Sequence, residues 1–229
     1  MRVPEIARQE IKFVANRRDY DLILQWVKLH GLGFSVAYPE RTVNNVYFDT
    51  IDYVAYAENL AGISSRTKVR YRWYGTSDSP APGRLEIKRK RNMFGWKLNF
   101  DCQEAPCKEG DTWEDVKRSI ITQSSPDAGV WLGQFPFPVM INRYRRHYYL
   151  SACGRIRITL DFDQQVWDQR YSSQPCRLRP ANLPETFVFE CKFDRSERDL
   201  AERILLGLPI RVSRHSKYMN AVNAIMLST

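Results

Sequence analysis

The stretch Lys68-Val69-Arg70-Tyr71-Arg72 alternates cationic residues with two residues that favour β-strands. Neighbouring side chains of a strand point to opposite faces, and residues two apart share one face at a spacing of about 7 Å. The three cations therefore lie on one face, and Val69 and Tyr71 lie on the other. This pattern predicts a strand whose apolar face packs on a core while its charged face lines an enclosure.

Four other stretches also place charges two residues apart, and three of them pair a cation with a carboxylate. They are Glu10-Ile-Lys12, Glu86-Ile-Lys88-Arg-Lys90, Arg155-Ile-Arg157 and Glu190-Cys-Lys192. A single stretch of this kind is most simply a basic strand with one solvated face. Five are harder to explain that way, because a solvated sheet would also contain Ser, Thr, Asn and Gln. Since like charges in a low dielectric are costly, the enclosure needs an anionic occupant, and we expect a polyphosphate.

The overall charge also favours anionic partners. The 229 residues include 35 Lys and Arg against 26 Asp and Glu, which gives a net charge of +9. This charge is spread through strand-like segments rather than concentrated in a basic tail, which argues against a nucleic-acid-binding arm. With 43% hydrophobic and 13% aromatic residues, the composition is that of a folded globule.

The cysteines and the hydropathy pattern bear on the compartment. Five cysteines without CxxC spacing indicate neither a disulfide framework nor a zinc site. The first residues contain no apolar signal-peptide core, and no run approaches the roughly 18 apolar residues of a membrane-spanning helix. We therefore expect a reducing, cytoplasmic location, with membrane association only through a partner protein.

The hydrophobic periodicity and the turn residues predict an α+β fold in which antiparallel strands form an enclosure with helices around it. Strands are predicted at residues 6–14, 43–49, 65–74, 83–91, 96–101, 139–151, 155–163 and 186–193. Helices are predicted at residues 17–30, 52–59, 111–123 and 196–206, and from Ser216 onward. Residues 134–138 are predicted to be a Pro-rich connector and residues 168–185 a loop. No repeat or linker divides the sequence, so we expect a single domain over residues 1–229.

Three carboxylates, Glu10, Glu86 and Glu190, each precede a lysine by two residues. A carboxylate among cations either orients a cation or holds a divalent ion that bridges phosphate oxygens. Structural pairing is the commoner role for any one Glu–Lys pair. Glu190 is the best metal ligand of the three, because it lies in the apolar segment Phe187–Phe193.

The cations on these strand faces differ in the contacts they can make. Lysines supply point charges, whereas arginines supply planar forks for bidentate phosphate contacts. The lysines are Lys12, Lys88 and Lys192, and the arginines are Arg70, Arg72, Arg146 and Arg157. Lys97 begins a further predicted strand, and Tyr144 shares strand parity with Arg146.

Two further pairs of residues have two explanations each. Ser216 and Lys217 stand at the predicted start of the last helix, where free N–H groups favour a phosphate, although Ser216 is alternatively a simple N-cap. Asp161 and Asp163 share the strand parity of Arg157, and they either assist with metal binding or form a turn and salt bridges. The sequence has no Gly-rich phosphate loop, which excludes a P-loop or Rossmann nucleotide site.

Several of these motifs, taken in chain order, resemble the VTC domain. This is the polyphosphate polymerase domain of the vacuolar transporter chaperone complex, in the triphosphate tunnel metalloenzyme superfamily. The motifs are Glu10-Ile-Lys-Phe13, Val43-Asn-Asn-Val-Tyr-Phe-Asp-Thr50, Arg70-Tyr-Arg-Trp-Tyr-Gly75, Glu86-Ile-Lys88, Tyr144-Arg-Arg146, Arg157-Ile-Thr-Leu-Asp161, Phe189-Glu-Cys-Lys192 and Ser216-Lys-Tyr218. Each motif is weak alone, but their order is specific and spans essentially the whole chain.

The resemblance implies an antiparallel β-barrel, the triphosphate tunnel, with flanking helices. By motif, the basic tunnel residues are Lys12, Arg70, Arg72, Lys88, Lys97, Arg146 and Lys217. Tyr144 and Ser216 match the polar phosphate contacts of the family, and Glu190 matches its ligand for Mn²⁺ or Mg²⁺. Arg214 stands where the family has a lysine, a change that keeps the charge but alters the geometry.

The resemblance also implies transfer of the γ-phosphoryl group of ATP to a growing polyphosphate chain, with release of ADP. The expected catalytic residues are Lys12, Arg70, Arg72, Arg146 and Lys217. The expected phosphate-binding residues are Lys88, Lys97, Tyr144, Arg157, Lys192, Arg214 and Ser216. The expected partners are ATP and polyphosphate, with no nucleic acid, and a separate membrane protein wherever the product is exported. Two alternatives are hydrolysis of triphosphate or NTP in the same tunnel, and non-catalytic binding of polyphosphate or RNA.

Overall fold

The computed structural model describes residues 9–92, 94–213 and 215–227. Eight strands form one antiparallel sheet in the order β1-β8-β7-β6-β2-β3-β4-β5. Their bounds are β1 Gln9–Asn16, β2 Ser35–Asp49, β3 Ser65–Tyr74, β4 Gly83–Arg91, β5 Phe94–Cys102, β6 Phe137–Leu150, β7 Arg157–Asp168 and β8 Thr186–Phe193. The α+β prediction is confirmed, whereas a barrel is not confirmed, because the sheet formed by the described strands is not closed.

Six α-helices accompany the strands within the described ranges. They are α1 Tyr20–Leu29, α2 Val54–Leu60, α3 Trp113–Gln123, α4 Pro126–Gln134, α5 Arg198–Leu205 and α6 Lys217–Leu227. The start of α3 is fixed by a capping box, in which Thr112 and Asp115 each satisfy a backbone N–H of the other. None of the described helices is both long and apolar enough to cross a membrane.

Helix α4 and the first half of β2 are absent from the sequence-based prediction. Pro126 occupies the first turn of α4, where its fixed φ is tolerated, and the helix buries Ala128 and Leu132. The glycines in this short segment weaken its helical signal. In β2, residues 35–41 are all exposed, so they show no alternation of apolar and polar residues that would predict a strand.

The chain divides into two compact units, and the first comprises residues 1–41, 144–164 and 184–216. Its core is formed by the apolar faces of β1, β7 and β8 together with α1 and α5. Phe13 of β1 and Phe189 of β8 pack edge to face with ring centroids 5.5 Å apart. This packing leaves the opposite face of these strands to the charged residues.

The second unit comprises residues 42–143, 165–183 and 217–229. Val69, Tyr71 and Trp73 of β3 are fully buried with residues of α3 and α4. The predicted alternation of β3 is therefore confirmed, because its apolar positions form core and its cations occupy the other face. The prediction of a single domain over residues 1–229 stays a prediction.

The register of β3 and β4 depends on Gly83, which pairs with Trp73. A Cβ atom at position 83 would lie far inside van der Waals contact of the Arg72 carbonyl oxygen. Only glycine permits this close approach of the two backbones. The approach fixes which residues of β4 stand opposite the cations of β3.

Candidate functional site

In the first unit, the paired strands β1, β8 and β7 carry polar and charged residues in two neighbouring rows that run across the strands. Lys12, Glu190 and Thr159 are directly opposite one another, and so are Glu10, Lys192 and Arg157. The Lys12 Nζ lies 3.2 Å from Glu190 Oε1, and the Lys192 Nζ lies 2.8 Å from Glu190 Oε2. We call Glu10, Lys12, Arg146, Asp161, Glu190 and Lys192 the Glu190 cluster.

Arg146 completes this cluster from β6. Its guanidinium donates two hydrogen bonds to the Asp161 carboxylate, and its Nη2 lies 3.7 Å from Glu190 Oε2. The guanidinium also lies 5.3 Å from the centre of the Tyr144 ring. Burial alone would lower the pKa of Arg146, but Asp161 outweighs it and the pKa is raised. Arg146 is therefore a permanently charged, oriented fork.

The two lysines of the cluster differ in their electrostatics. Burial alone would lower the pKa of Lys12, but Glu190 and Glu10 outweigh it and the pKa is raised. Burial lowers the pKa of Lys192, and Arg146 adds to this effect while Glu190 opposes it. Glu190 and Glu10 thus do not fully offset the effects of burial and Arg146 on Lys192, and an added anion would favour its charged form.

Glu190 and Thr159 are directly opposed residues of β8 and β7 whose side chains carry oxygen atoms, the donor type that a divalent ion prefers. Glu190 is buried, and within the described residues the buried Thr159 hydroxyl opposite it has no hydrogen-bond partner. No group of three His, Cys, Asp or Glu side chains suited to a metal occurs in the part of the chain that the structure describes. A divalent ion held at Glu190 would have to take most of its ligands from phosphate and water.

In the second unit, Glu86 of β4 is a buried carboxylate among cations. Arg70 donates to it from both Nε and Nη2, with Nε 2.9 Å from Glu86 Oε2. Arg72 Nη1 and Lys97 Nζ lie 3.5 and 3.8 Å from Glu86 Oε1. Burial would raise the pKa of Glu86, but Arg70, Arg72 and Lys97 outweigh it and hold the pKa well below its usual value. We call Arg70, Arg72, Glu86 and Lys97 the Glu86 cluster.

A row of three lysines lies beside this cluster, because Lys68, Lys88 and Lys97 are directly opposite one another on β3, β4 and β5. Like charges at opposed positions of a sheet repel each other. Burial and the neighbouring cations lower the pKa of Lys97 despite Glu86. This face of the second unit is therefore suited to binding an anion.

Three residues of the second unit orient the arginines and were not predicted from the sequence. Arg70 Nη1 donates to the Tyr47 hydroxyl at 3.0 Å, and Arg72 Nε donates to Asn45 Oδ1 at 2.9 Å. Asn45 in turn donates to Asn142 at 2.8 Å. The signal was available in β2, where positions 45 and 47 alternate along the strand and so share one face of the sheet; they lie opposite Arg72 and Arg70.

Lys217, the first residue of α6, also belongs to this region of the second unit. Burial would raise the pKa of Tyr47, but Arg70, Arg72 and Lys217 lower it. Tyr218 stacks on the Tyr47 ring with centroids 5.2 Å apart. The start of α6 thus presents a cation beside the arginines of β3.

The remaining predicted residues have varied positions. Arg157 is exposed at the start of β7, opposite Lys192, and Ser216 immediately precedes α6. Arg214 lies outside the described residues. The inclusion of Arg155 in a charged strand face was wrong, because it precedes β7 and pairs instead with Glu197 at 3.0 Å.

Asp163 does not join Asp161, although the two share strand parity in the sequence. Its φ of 52° is left-handed, which breaks the alternation of β7. Its carboxylate pairs with Arg145 at 3.1 Å and with Arg17 at 3.5 Å. Two explanations were offered for Asp161 and Asp163, metal binding or salt bridges. In the structure both carboxylates form salt bridges.

The sequence profile of the VTC domain matches residues 7–226. None of the curated proteins matches the chain. The fold is similar to that of a candidate adenylate cyclase from Vibrio parahaemolyticus, with 12% identity, a TM-score of 0.53, and coverage of 99% of this chain and 100% of that one.

Two other solved structures are less similar. A protein from Pyrococcus horikoshii has 13% identity and a TM-score of 0.49, with 96% of this chain and 98% of that one covered. The Schizosaccharomyces pombe Mediator head module has 10% identity and a TM-score of 0.45, with 90% and 98% covered. The match of the family profile to nearly the whole chain decides the assignment: the chain belongs to the VTC domain family.

Proposed function

We propose that this protein is a polyphosphate polymerase, which transfers the γ-phosphoryl group of ATP to the end of a polyphosphate chain and releases ADP. Membership of the VTC family supports an enzyme that binds polyphosphate or triphosphate. The observation that carries the proposal is the arrangement of Lys12, Arg146 and Lys192 around the buried Glu190.

The Glu190 cluster has the properties that phosphoryl transfer requires. Such transfer depends on positioning and charge neutralisation far more than on covalent participation by the protein. Arg146 is held in one orientation by Asp161, so it would lose little side-chain entropy when its remaining N–H groups bind a phosphate. Lys12 carries its charge at neutral pH, because Glu190 and Glu10 raise its pKa.

Within the second unit, the Glu86 cluster is itself suited to phosphate contacts. Arg70 and Arg72 are each held by a side chain of β2, Tyr47 and Asn45 respectively. Fixed guanidinium groups lose little side-chain entropy when they bind a phosphate. Lys88, Lys97 and Lys217 would add point charges along the same face of the second unit.

In the proposed reaction, an oxygen of the terminal phosphate of the acceptor attacks the γ-phosphorus of ATP. A new P–O bond forms, the bond from the γ-phosphorus to the β,γ-bridging oxygen breaks, and that oxygen leaves with ADP. The attacking oxygen is already anionic, so no general base is needed. Lys12 and Arg146 would stabilise the negative charge that develops on the transferred group.

A bound Mn²⁺ or Mg²⁺ would supply additional positive charge on the phosphate oxygens. Glu190 would hold it, with Thr159 as a second oxygen donor. The Glu190 carboxylate would then contact both the ion and the two lysines beside it, Lys12 and Lys192.

The proposal is tested by incubating the protein with ATP and either Mn²⁺ or Mg²⁺ and separating the products on a gel. We expect long polyphosphate chains with one ADP formed for each phosphate incorporated. Arg146→Gln should abolish synthesis, whereas Arg155→Gln, which removes an exposed pair outside the cluster, should leave it unchanged. Orthophosphate as the sole product would mean hydrolysis instead, and salt-sensitive binding without ADP would mean a binding module.

A further inference from the structure

A group of two tyrosines and one arginine lies in the first unit and has no role in the phosphate contacts described above; Tyr38 and Arg41 are exposed and Tyr148 is half-buried. The rings of Tyr38 and Tyr148 pack edge to face with centroids 5.6 Å apart. The guanidinium carbon of Arg41 lies 4.9 Å from the Tyr38 ring centre and 5.8 Å from that of Tyr148. We call these three residues the Tyr38 cluster.

The Tyr38 cluster adjoins the Glu190 cluster through β6. Tyr144, Arg146 and Tyr148 share one face of that strand, and the Arg146 guanidinium carbon lies 5.8 Å from the Tyr148 ring centre. A molecule whose phosphates contacted Arg146 would therefore have Tyr148 as its next neighbour along the strand.

The chemistry of this surface differs from that of the phosphate contacts. Tyr38 is 53% exposed, so its ring face is not spent on core packing. The faces of aromatic rings carry partial negative charge and do not attract phosphate. They do stack with nucleobases, as guanidinium planes do. Of the parts of a nucleotide, only the base matches both aromatic side chains and the arginine plane.

We propose that the Tyr38 cluster receives the base of the nucleotide donor, so that Tyr38, Tyr148 and Arg41 distinguish a nucleoside triphosphate from inorganic polyphosphate. The inference rests on the proposed function in that it takes a nucleotide to be the donor. It assigns to this surface a contact that the polyphosphate acceptor and product cannot make.

The test compares the binding of ATP with that of inorganic tripolyphosphate, measured by titration calorimetry without turnover. For Tyr38→Ala we expect the Kd for ATP to rise about tenfold, the size of a lost stacking contact, while the Kd for tripolyphosphate stays within about twofold. Tyr148→Ala should behave in the same way. Tyr38→Phe keeps the ring and should restore ATP binding.

Tyr171→Ala is the matched control, because Tyr171 is also an exposed tyrosine with a guanidinium over its ring, that of Arg170 at 5.3 Å. It should change neither Kd. An unchanged ratio of the two Kd values in both Tyr38→Ala and Tyr148→Ala would overturn the inference, whether both ligands weaken equally or neither does. Because the assay needs no product, its result stays distinct from a failure of chain synthesis.

Discussion

Lys12 and Glu190 stand directly opposite each other on the paired strands β1 and β8, with Lys12 Nζ 3.2 Å from Glu190 Oε1. The other carboxylate oxygen lies 2.8 Å from Lys192 and 3.7 Å from Arg146. One buried carboxylate therefore contacts three cations, two of which also contact a second carboxylate, Lys12 with Glu10 and Arg146 with Asp161. Removing the charge of Glu190 should lower the stability of the apoprotein because cations lose a counter-charge. It should lower activity for a different reason, because the metal ion loses its proposed ligand.

Glu190→Gln is expected to abolish chain synthesis while it retains tripolyphosphate binding within a few-fold of wild type. The free energy of unfolding should fall by about 3 kcal/mol, because buried cations lose their counter-charge. Denaturant unfolding, calorimetric binding and the gel assay measure the three quantities.

Glu10→Gln is the control for this substitution, because Glu10 is partly exposed and also contacts Lys12, at 3.3 Å. We expect a stability change below about 1 kcal/mol, because Glu10 is more exposed than Glu190. Equal loss of binding and synthesis in Glu190→Gln, or loss of neither, would contradict the role of Glu190 as a metal ligand.

The strand faces were predictable from the sequence because a period of two is local. The alternation at Lys68–Arg72 predicts which side chains are buried, and Val69 and Tyr71 are indeed core residues. The partners of the cations were less predictable, since pairing across strands depends on register. Register in turn depends on features such as the close approach at Gly83, which no periodicity encodes.

Local breaks in regularity explain the residues that were predicted wrongly or missed. Asp163 adopts a left-handed φ, so its side chain leaves the face that its sequence parity predicts. Arg155 falls in the turn before β7 rather than in the strand. Thr159 was overlooked because a neutral hydroxyl near charged residues does not indicate a binding site in the sequence. Its relevance depends on its position opposite Glu190, which only the strand pairing shows. The enclosure with an anionic occupant remains a prediction.

Glu86→Gln is expected to change how stability depends on pH. The cations around Glu86 hold its pKa below the value of about 4.3 typical of an unfolded chain, so its contribution is fully present above that pH. As the pH falls through the folded-state pKa, this contribution is lost. The stability difference between wild type and Glu86→Gln should therefore be about 2–4 kcal/mol at pH 7 and shrink below about pH 4.

Asp101→Asn, in the neighbouring strand β5, serves as the comparison for Glu86→Gln. Asp101 pairs with Arg84 at 3.2 Å, and both side chains are exposed. We expect its effect to stay within about 0.5 kcal/mol at every pH. Parallel pH profiles for wild type and Glu86→Gln would show that Glu86 is not the group responsible. Unfolding by urea at several pH values gives both profiles.

Asp49→Asn should destabilise the second unit, because this buried carboxylate joins the end of β2 to the start of α2. It accepts the backbone N–H groups of Ala55 at 2.9 Å and Tyr56 at 3.1 Å, and the hydroxyl of Tyr218. An amide replaces one acceptor oxygen by a donor, so at least one N–H or O–H loses its partner at a cost of about 1–3 kcal/mol.

The free energy of unfolding measures this loss, with Asp111→Asn for comparison. Asp111 accepts a single exposed N–H, that of Lys108, at 2.8 Å. The change there should stay below about 1 kcal/mol. If the two substitutions had equal effects, the convergence of bonds on Asp49 would not be the source of its importance.

Gly83→Ala is expected to disturb the Glu86 cluster from outside it. A methyl group at position 83 would overlap the Arg72 carbonyl oxygen, so the start of β4 must move away from β3. We expect a loss of about 1–3 kcal/mol in stability. The shift also moves Arg72 relative to Asn45, so the increase in Tm produced by tripolyphosphate should become smaller.

Gly133→Ala tests whether this effect is specific to position 83. Gly133 lies in helix α4, where a new Cβ atom would meet nothing within 4 Å and where alanine is the better helix former. Its stability should be unchanged or higher by about 0.5–1 kcal/mol, with the full stabilisation by tripolyphosphate. Thermal melts with and without the ligand separate the outcomes, and a Gly83→Ala variant as stable as Gly133→Ala would refute the close β3–β4 approach.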